Sequence, residues 1–323
     1  MLRRRLGNTG LEVSALGYGA WGIGGTGWLG AQDDDSLRAL ARAIELGVDF
    51  IDTAAAYGSG HSERLVGRAA REAGADIRVA TKIPPKNGQW PARAGVPADD
   101  AFPADWVIES TEQSLRNLGL ERIDVQQFHV WSDEWVDQGG WADAVERLKR
   151  DGKIRFFGVS INDHQPANAV RLVESGLVDT VQVIYNVFDQ SPEDELFPAV
   201  EAAGVGVIVR VPFDEGGLTG RVRPDTTFPD GDFRNGYFGG DRKREVWERV
   251  QAIARDLDLP VERVPEMALR FCLSHPTVST VIAGMRSVEN VERNVAAAGQ
   301  GELTGDELAK LRAHRWVRSF YAA

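Results

Sequence analysis

The chain has 323 residues, of which 43% are hydrophobic and 26% charged, and its formal net charge is −11. This balance suits a soluble globular protein with a sizeable core, and the acidic excess argues against nucleic acid or an anionic membrane as the main partner. A single cysteine, Cys272, leaves no disulfide framework within the chain; no apolar run is long enough to span a bilayer or to follow the basic Met1–Gly7 stretch as a signal core, so a cytoplasmic location is expected.

In chain order, Leu6 to Val13 reads as an N-terminal β-hairpin around the Gly7-Asn8-Thr9-Gly10 turn signal. Strand-like and helix-like runs then alternate. Ala15–Gly19 is a strand and Asp33–Leu46 a helix, with Leu37, Leu40, Ala41 and Ile44 on one face. Strand Asp49–Asp52 precedes helix Ser62–Glu72, strand Arg78–Lys82 precedes helix Ala104–Leu118, and strand Val125–His129 precedes helix Ala142–Arg150. Strand Phe156–Ser160, helix Ala167–Ser175, strand Thr180–Ile184, helix Asp194–Ala203 and strand Val205–Val209 continue the series. Helices Arg244–Arg255 and Val264–Leu273, strand Thr280–Ala283 and helix Val288–Ala297 complete it. Short strands rich in Val and Ile are those of a parallel sheet buried on both faces. About eight βα units predict an α/β fold, a (β/α)8 TIM barrel forming one domain over residues 1–323, with a doubly wound open sheet as the structural alternative. Three long loops, Trp21–Gln32, Ile83–Pro103 and Pro212–Gly240, all follow strands and would therefore lie at the barrel's C-terminal face.

Gly22-Ile23-Gly24-Gly25-Thr26-Gly27 matches a dinucleotide-binding glycine pattern. That pattern works by opening a helix whose N-terminus holds the pyrophosphate. Here Trp28 to Gln32 intervene, and the helix starts at three carboxylates, Asp33, Asp34 and Asp35. The run is better read as a loop over a pocket, with Trp21 and Trp28 as its apolar wall.

Three strand ends carry the chemistry: Asp52 with Tyr57 beyond it, Lys82, and His129. Each alone has an ordinary structural reading, as a loop cap, a packed ring, a surface ion pair or a core histidine. Together they suit proton transfer. A lysine ammonium lowers a phenol's pKa from its usual value near ~10, a carboxylate holds the lysine, and a histidine polarises a carbonyl. Such a site protonates a carbonyl oxygen while a nicotinamide delivers hydride to carbon. No metal is expected.

The Asp52-Thr53-Ala54-Ala55-Ala56-Tyr57-Gly58 segment, the Thr81-Lys82 strand end and Phe128-His129 resemble the aldo-keto reductase superfamily, over nearly the whole chain. The resemblance implies a (β/α)8 barrel and reversible NAD(P)H-dependent carbonyl reduction, with Tyr57 as general acid, Lys82 and Asp52 tuning it, and His129 orienting the substrate. It further implies cofactor contacts at Trp21, Asp52, Ser160, Gln182, Arg210, Pro212, Phe213, Gly220, Gly284, Arg286, Asn290 and Asn294. The sequence departs from the family at Ile161, where asparagine is usual and Asn162 stands one place on. It departs again at Arg210, where an aromatic ring commonly stacks on the nicotinamide, and at Asn290, where many members carry arginine or glutamine. Arg286 is then the best cation for a 2′-phosphate, so NADP(H) is preferred and NAD(H) also admitted.

The substrate expected is a small-molecule aldehyde or ketone in a pocket of Trp21, Trp28, Tyr57, Trp90, His129 and Trp131, with Trp135 and Trp141 as further candidates for the rim. Two other functions fit the same residues: a cofactor-binding regulatory or auxiliary barrel, and a dehydrogenase oxidising sugars or polyols. The tail Arg315–Tyr321 would close over the pocket or dock on the barrel's outside. Oligomeric state is not legible in the sequence.

Overall fold

The computed structural model describes every residue except 75, 317, 322 and 323. Strands β1 (Arg3–Arg5) and β2 (Glu12–Ser14) pair antiparallel as the expected hairpin. Among the described residues eight more follow: β3 (Leu16–Gly19), β4 (Phe50–Asp52), β5 (Arg78–Ile83), β6 (Ile123–Phe128), β7 (Ile154–Ser160), β8 (Thr180–Ile184), β9 (Gly206–Arg210) and β10 (Val278–Gly284). These pair in parallel and close in the order β10-β3-β4-β5-β6-β7-β8-β9, so the barrel forms and the open sheet does not.

Helices α1 (Asp33–Glu45), α2 (His61–Glu72), α3 (Ala98–Ala101), α4 (Ala104–Leu118), α5 (Trp141–Arg150) and α6 (Val170–Ser175) lie in the first part of the chain. The second part carries α7 (Leu196–Ala203), α8 (Arg234–Tyr237), α9 (Arg242–Asp256), α10 (Val264–Ser274), α11 (Val288–Ala298) and α12 (Gly305–Arg312). Each long helix buries one face: in α2, Leu65, Val66 and Ala69 face the core while Arg64, Arg68 and Arg71 face water. The helix expected over Ala167–Ser175 is broken instead. Its first turn is a 3₁₀ segment, Pro166–Ala169, because the Asn168 amide turns away to donate to Trp131 O at 2.8 Å and to accept from Asp133 N at 3.0 Å.

Strand alternation explains where the site falls. Side chains two apart on a strand share a face. Inside the barrel, Phe50, Ala80, Val125, Ile208 and Ile282 make an apolar layer with Leu6, Leu11 and Val13 of the hairpin segment, which plugs the N-terminal end. Two residues further along the same strands stand Asp52, Lys82, Gln127, Arg210 and Gly284. The inward row therefore changes from apolar to polar within one step, at the C-terminal mouth.

Candidate active site

Lys82 is fully buried and is held by three oxygens. Its Nζ forms an ion pair with Asp52 Oδ1, donates to Thr53 O at 2.8 Å, and donates to Tyr57 Oη at 3.3 Å. Since that hydroxyl oxygen accepts from Lys82, its hydrogen is left for a group in the mouth. Burial raises the Tyr57 phenol above its ordinary range, with Lys82 pulling it part of the way back. Lysine lowers it, in the direction expected from the sequence, but desolvation of the phenolate is the larger effect. The His129 ring lies 5.5 Å from that of Tyr57 and 4.4 Å from that of Trp90. Burial, with the nearby charges of Lys82 and Arg210, holds its imidazole neutral, well below the usual histidine range. Its Nδ1 is buried without a partner among the described residues, which costs least when that nitrogen carries no proton and Nε2 does.

The glycine-rich run is a loop, as expected. Gly58 sits at φ +65°, and a Cβ there would collide with Gly24 O; a Cβ on Gly24 would lie 2.9 Å from the Tyr57 carbonyl carbon. The glycines thus let this loop press against the Tyr57 turn. Trp21 lies 6.3 Å from Tyr57, 6.0 Å from Trp28 and 5.3 Å from Phe233, so these rings and the 45% exposed Trp90 form the aromatic wall of the mouth. Trp131 is corrected out of it. It is fully buried, stacked on Phe128 and edge to face with Trp135 and Trp141, and its Nε1 donates to Asp133 at 3.0 Å. Trp135 and Trp141 belong to the same packed cluster, because the chain after His129 folds back as a 3₁₀ turn, Asp133–Asp137, instead of reaching over the barrel.

Ser160 and Gln182 are register partners on β7 and β8, both buried. Asn162 faces elsewhere: its amide exchanges hydrogen bonds with Ala92 N and O at 3.2 and 3.0 Å and pins the Ile83–Pro103 loop. Arg210 donates from Nη2 to Ile161 O at 2.9 Å and to Asp163 at 2.7 Å, while its Nε is buried without a partner among the described residues. Buried Pro212, half-buried Phe213 and buried Gly220 bracket a 3₁₀ stretch, Asp214–Thr219. The tail docks on this stretch. Arg318 pairs with Asp214 and donates to Tyr237 Oη at 3.1 Å, and the Tyr321 hydroxyl donates to Glu215. Of the tail named above, Val317 lies outside the described residues. Burial pushes the Glu215 carboxyl up to about 7, with Tyr321 opposing. Beyond exposed Gly284, Arg286 donates to Leu29 O at 2.9 Å and lies 5.5 Å from the Trp28 ring. Ser287 caps α11 through Asn290 N, and Asn290 and Asn294 are half-buried one turn apart on that helix.

Sequence reasoning missed Gln127, which stands two residues before His129 and so on its face of β6, and missed Phe233, Asp163 and the carboxylates paired with the tail. Alternation along β6 was a usable signal for the first; the others depend on contacts between distant loops.

The family model for the Aldo/keto reductase family matches residues 15–315, and the chain belongs to that family. It is 29% identical over 317 residues to an uncharacterized oxidoreductase, YqkF, of Bacillus subtilis (strain 168), spanning 97% of this chain and 96% of that one. It is 28% identical over 312 residues to the NADH-specific methylglyoxal reductase of Escherichia coli (strain K12), spanning 90% of this chain and 92% of that protein. Among solved structures, the holo form of the aldo-keto reductase AKR11C1 from Bacillus halodurans superposes with a TM-score of 0.76 at 29% identity, covering 98% of this chain and 96% of that one. Membership makes the chain an oxidoreductase that uses a nicotinamide cofactor on a small-molecule substrate.

Proposed function

We propose that the chain reduces an aldehyde or ketone to the alcohol with NAD(P)H, and that Tyr57 is the general acid. The observation that carries this is the Lys82 ammonium, buried between the Asp52 carboxylate and Tyr57 Oη. The donor set fits a nicotinamide dinucleotide. Ser160 and Gln182 offer a hydroxyl and an amide side by side for a carboxamide, Arg210 a flat cation where a ring would lie, and Arg286 with Asn290 and Asn294 a polar surface for the adenosine end. Of the two carboxylates in the loop expected at the pyrophosphate, Asp214 is paired with Arg318, and Glu215 accepts from the neutral Tyr321 hydroxyl. The nicotinamide, when bound, supplies the hydride to the carbonyl carbon.

The protein's part is the proton. Neutral His129 donates from Nε2 to the carbonyl oxygen and orients it; Tyr57 passes its hydroxyl proton to that oxygen as charge builds there. The phenolate left behind is stabilised by the Lys82 Nζ–H at 3.3 Å. A phenol raised above its ordinary pKa remains protonated at neutral pH and so has the proton to give. NADP(H) is the preferred cofactor in this reading because the guanidinium of Arg286 stands just before the α11 cap, where a 2′-phosphate would be held. The test follows NADPH and NADH oxidation across a panel of small aldehydes and ketones. Turnover with NADPH ahead of NADH is expected; tight NADPH binding with no turnover on any carbonyl would favour a regulatory barrel instead.

A further inference from the structure

Gln127 has no part in the chemistry above, yet it is fully buried at the centre of the mouth. Its Nε2 donates to Asp52 Oδ2 at 3.1 Å, Gln182 Nε2 donates to the same oxygen at 2.8 Å, and Gln182 Nε2 also reaches Gln127 Oε1 at 3.2 Å. The three side chains close a ring of hydrogen bonds beside the Lys82 ion pair. Chemistry fixes which way each amide faces: a carboxylate oxygen only accepts, so both glutamines turn an NH2 toward Asp52. An NH2 has two hydrogens. Gln182 spends one on Asp52 and the other on Gln127, and its carbonyl oxygen is the one group left to offer outward.

The backbone makes room for this ring. Strand β7 lies between β6 and β8, and its Gly158 is the register partner of both Gln127 and Thr180. A Cβ at Gly158 would collide with Thr180 Oγ1 and press to 3.3 Å from Gln127 Cγ. The missing side chain on β7 is what lets the two amides meet across it.

We propose that Gln127 is a positioning residue that makes Gln182 a pure hydrogen-bond acceptor, so that the site selects a nicotinamide whose carboxamide can donate an N–H. This rests on the assignment of Gln182 to the carboxamide in the proposed function. Gln127 touches neither cofactor nor substrate; it acts by occupying the second N–H of Gln182.

The test titrates the full chain with NADPH and with its reduced acetylpyridine analogue, in which a methyl group replaces the carboxamide NH2. The wild-type chain should bind the analogue about tenfold or more weakly, the cost of a buried acceptor left without its donor. Gln127→Met frees one Gln182 N–H to donate to the acetyl oxygen, and the ratio of the two dissociation constants should fall to within about threefold. Gln127→Glu, its carboxyl kept protonated by burial beside the Asp52 carboxylate so that its O–H replaces the lost N–H, still presents an oxygen to that Gln182 N–H and should keep the wild-type ratio. Because the readout is a ratio on one protein, a loss of folded material cancels; Gln127→Asn, too short to reach Gln182, replaces the Met variant if that one does not fold. The proposal is overturned if the Met variant keeps the full ratio, if the Glu variant loses it equally, or if the wild-type chain binds both dinucleotides alike. A wild-type chain that binds neither dinucleotide contradicts the proposed function itself.

Discussion

Lys82 and Glu215 are both buried ionisable side chains at the same end of the barrel, yet they are held in different ways. Lys82 sits on β5 and meets Asp52, a backbone carbonyl and Tyr57, with Asp52 fixed in turn by Gln127 and Gln182 on two more strands. Glu215 sits in a loop at φ +52°, its carboxyl pushed up to about 7, and its hydrogen-bond partner is a phenol from the far end of the chain. The first region is fixed by sheet register, so its geometry is set once the barrel closes. The second is assembled from a loop and a tail, through contacts between charged and polar side chains. In the proposed reading the strand side handles the proton and the nicotinamide, through Ser160, Gln182 and Arg210, and the loop side handles the pyrophosphate and the adenosine end. Changes on the strand side should therefore strike turnover and stability, and changes on the loop side should strike nucleotide affinity.

Lys82→Met is the severest break. It leaves the buried Asp52 carboxylate without its cation, which should cost about 3–5 kcal/mol in unfolding free energy. It also removes the group that stabilises the phenolate, so kcat for carbonyl reduction should fall by about 10²–10⁴-fold. Denaturant unfolding and steady-state kinetics on one preparation check both, and a variant with normal stability would show that the pair is not the anchor argued here. On the loop side, Arg286→Ala should weaken NADPH binding by about 10–100-fold, the loss of charge-assisted hydrogen bonds to a phosphate, while NADH binding moves by less than about threefold. Equal losses for the two dinucleotides would remove the argument for NADP.

The smallest expected effect is a pH dependence. Glu215 is protonated below about 7 and negative above it. Next to the segment assigned to the pyrophosphate, the added charge should weaken NADPH binding by about three- to tenfold as pH rises through that value. Glu215→Gln should flatten the profile. Tyr321→Phe removes the hydrogen bond that opposes the upward shift, so it should move the midpoint higher. A midpoint unmoved by either substitution would assign the titration to another group.

The same contrast decides what was legible in the sequence. The barrel strands were readable because Val- and Ile-rich runs recur between amphipathic helices, and Asp52, Lys82 and His129 were readable because each stands at a strand's end. Gln127 obeys the same alternation, but a glutamine beside Gln126 on one strand advertises no chemistry until Gln182 arrives from two strands away. Helix α12 was missed although its capping box, Thr304 with Glu307, was present as a signal. Trp90 and Trp131 could not be told apart: both follow strand ends, and what separates them is the turn that folds the Trp131 loop back. That turn is secured by Trp135 Nε1 donating to Val96 O at 2.7 Å and by Asn168. The pairing of Glu215 with Tyr321, 106 residues apart, leaves no local trace at all.

Tyr57→Phe tests the central claim most directly, since it deletes the proposed proton and little else. Hydride transfer from bound NADPH to a reducible carbonyl should be followed in a single turnover, alongside the NADPH dissociation constant. The account predicts a rate about 10²–10⁴-fold below wild type with nucleotide affinity unchanged, and an unfolding free energy lower by about 1–3 kcal/mol for the Lys82 N–H that loses its acceptor. A Tyr57→Phe chain that reduces the same carbonyl at the wild-type rate would contradict it.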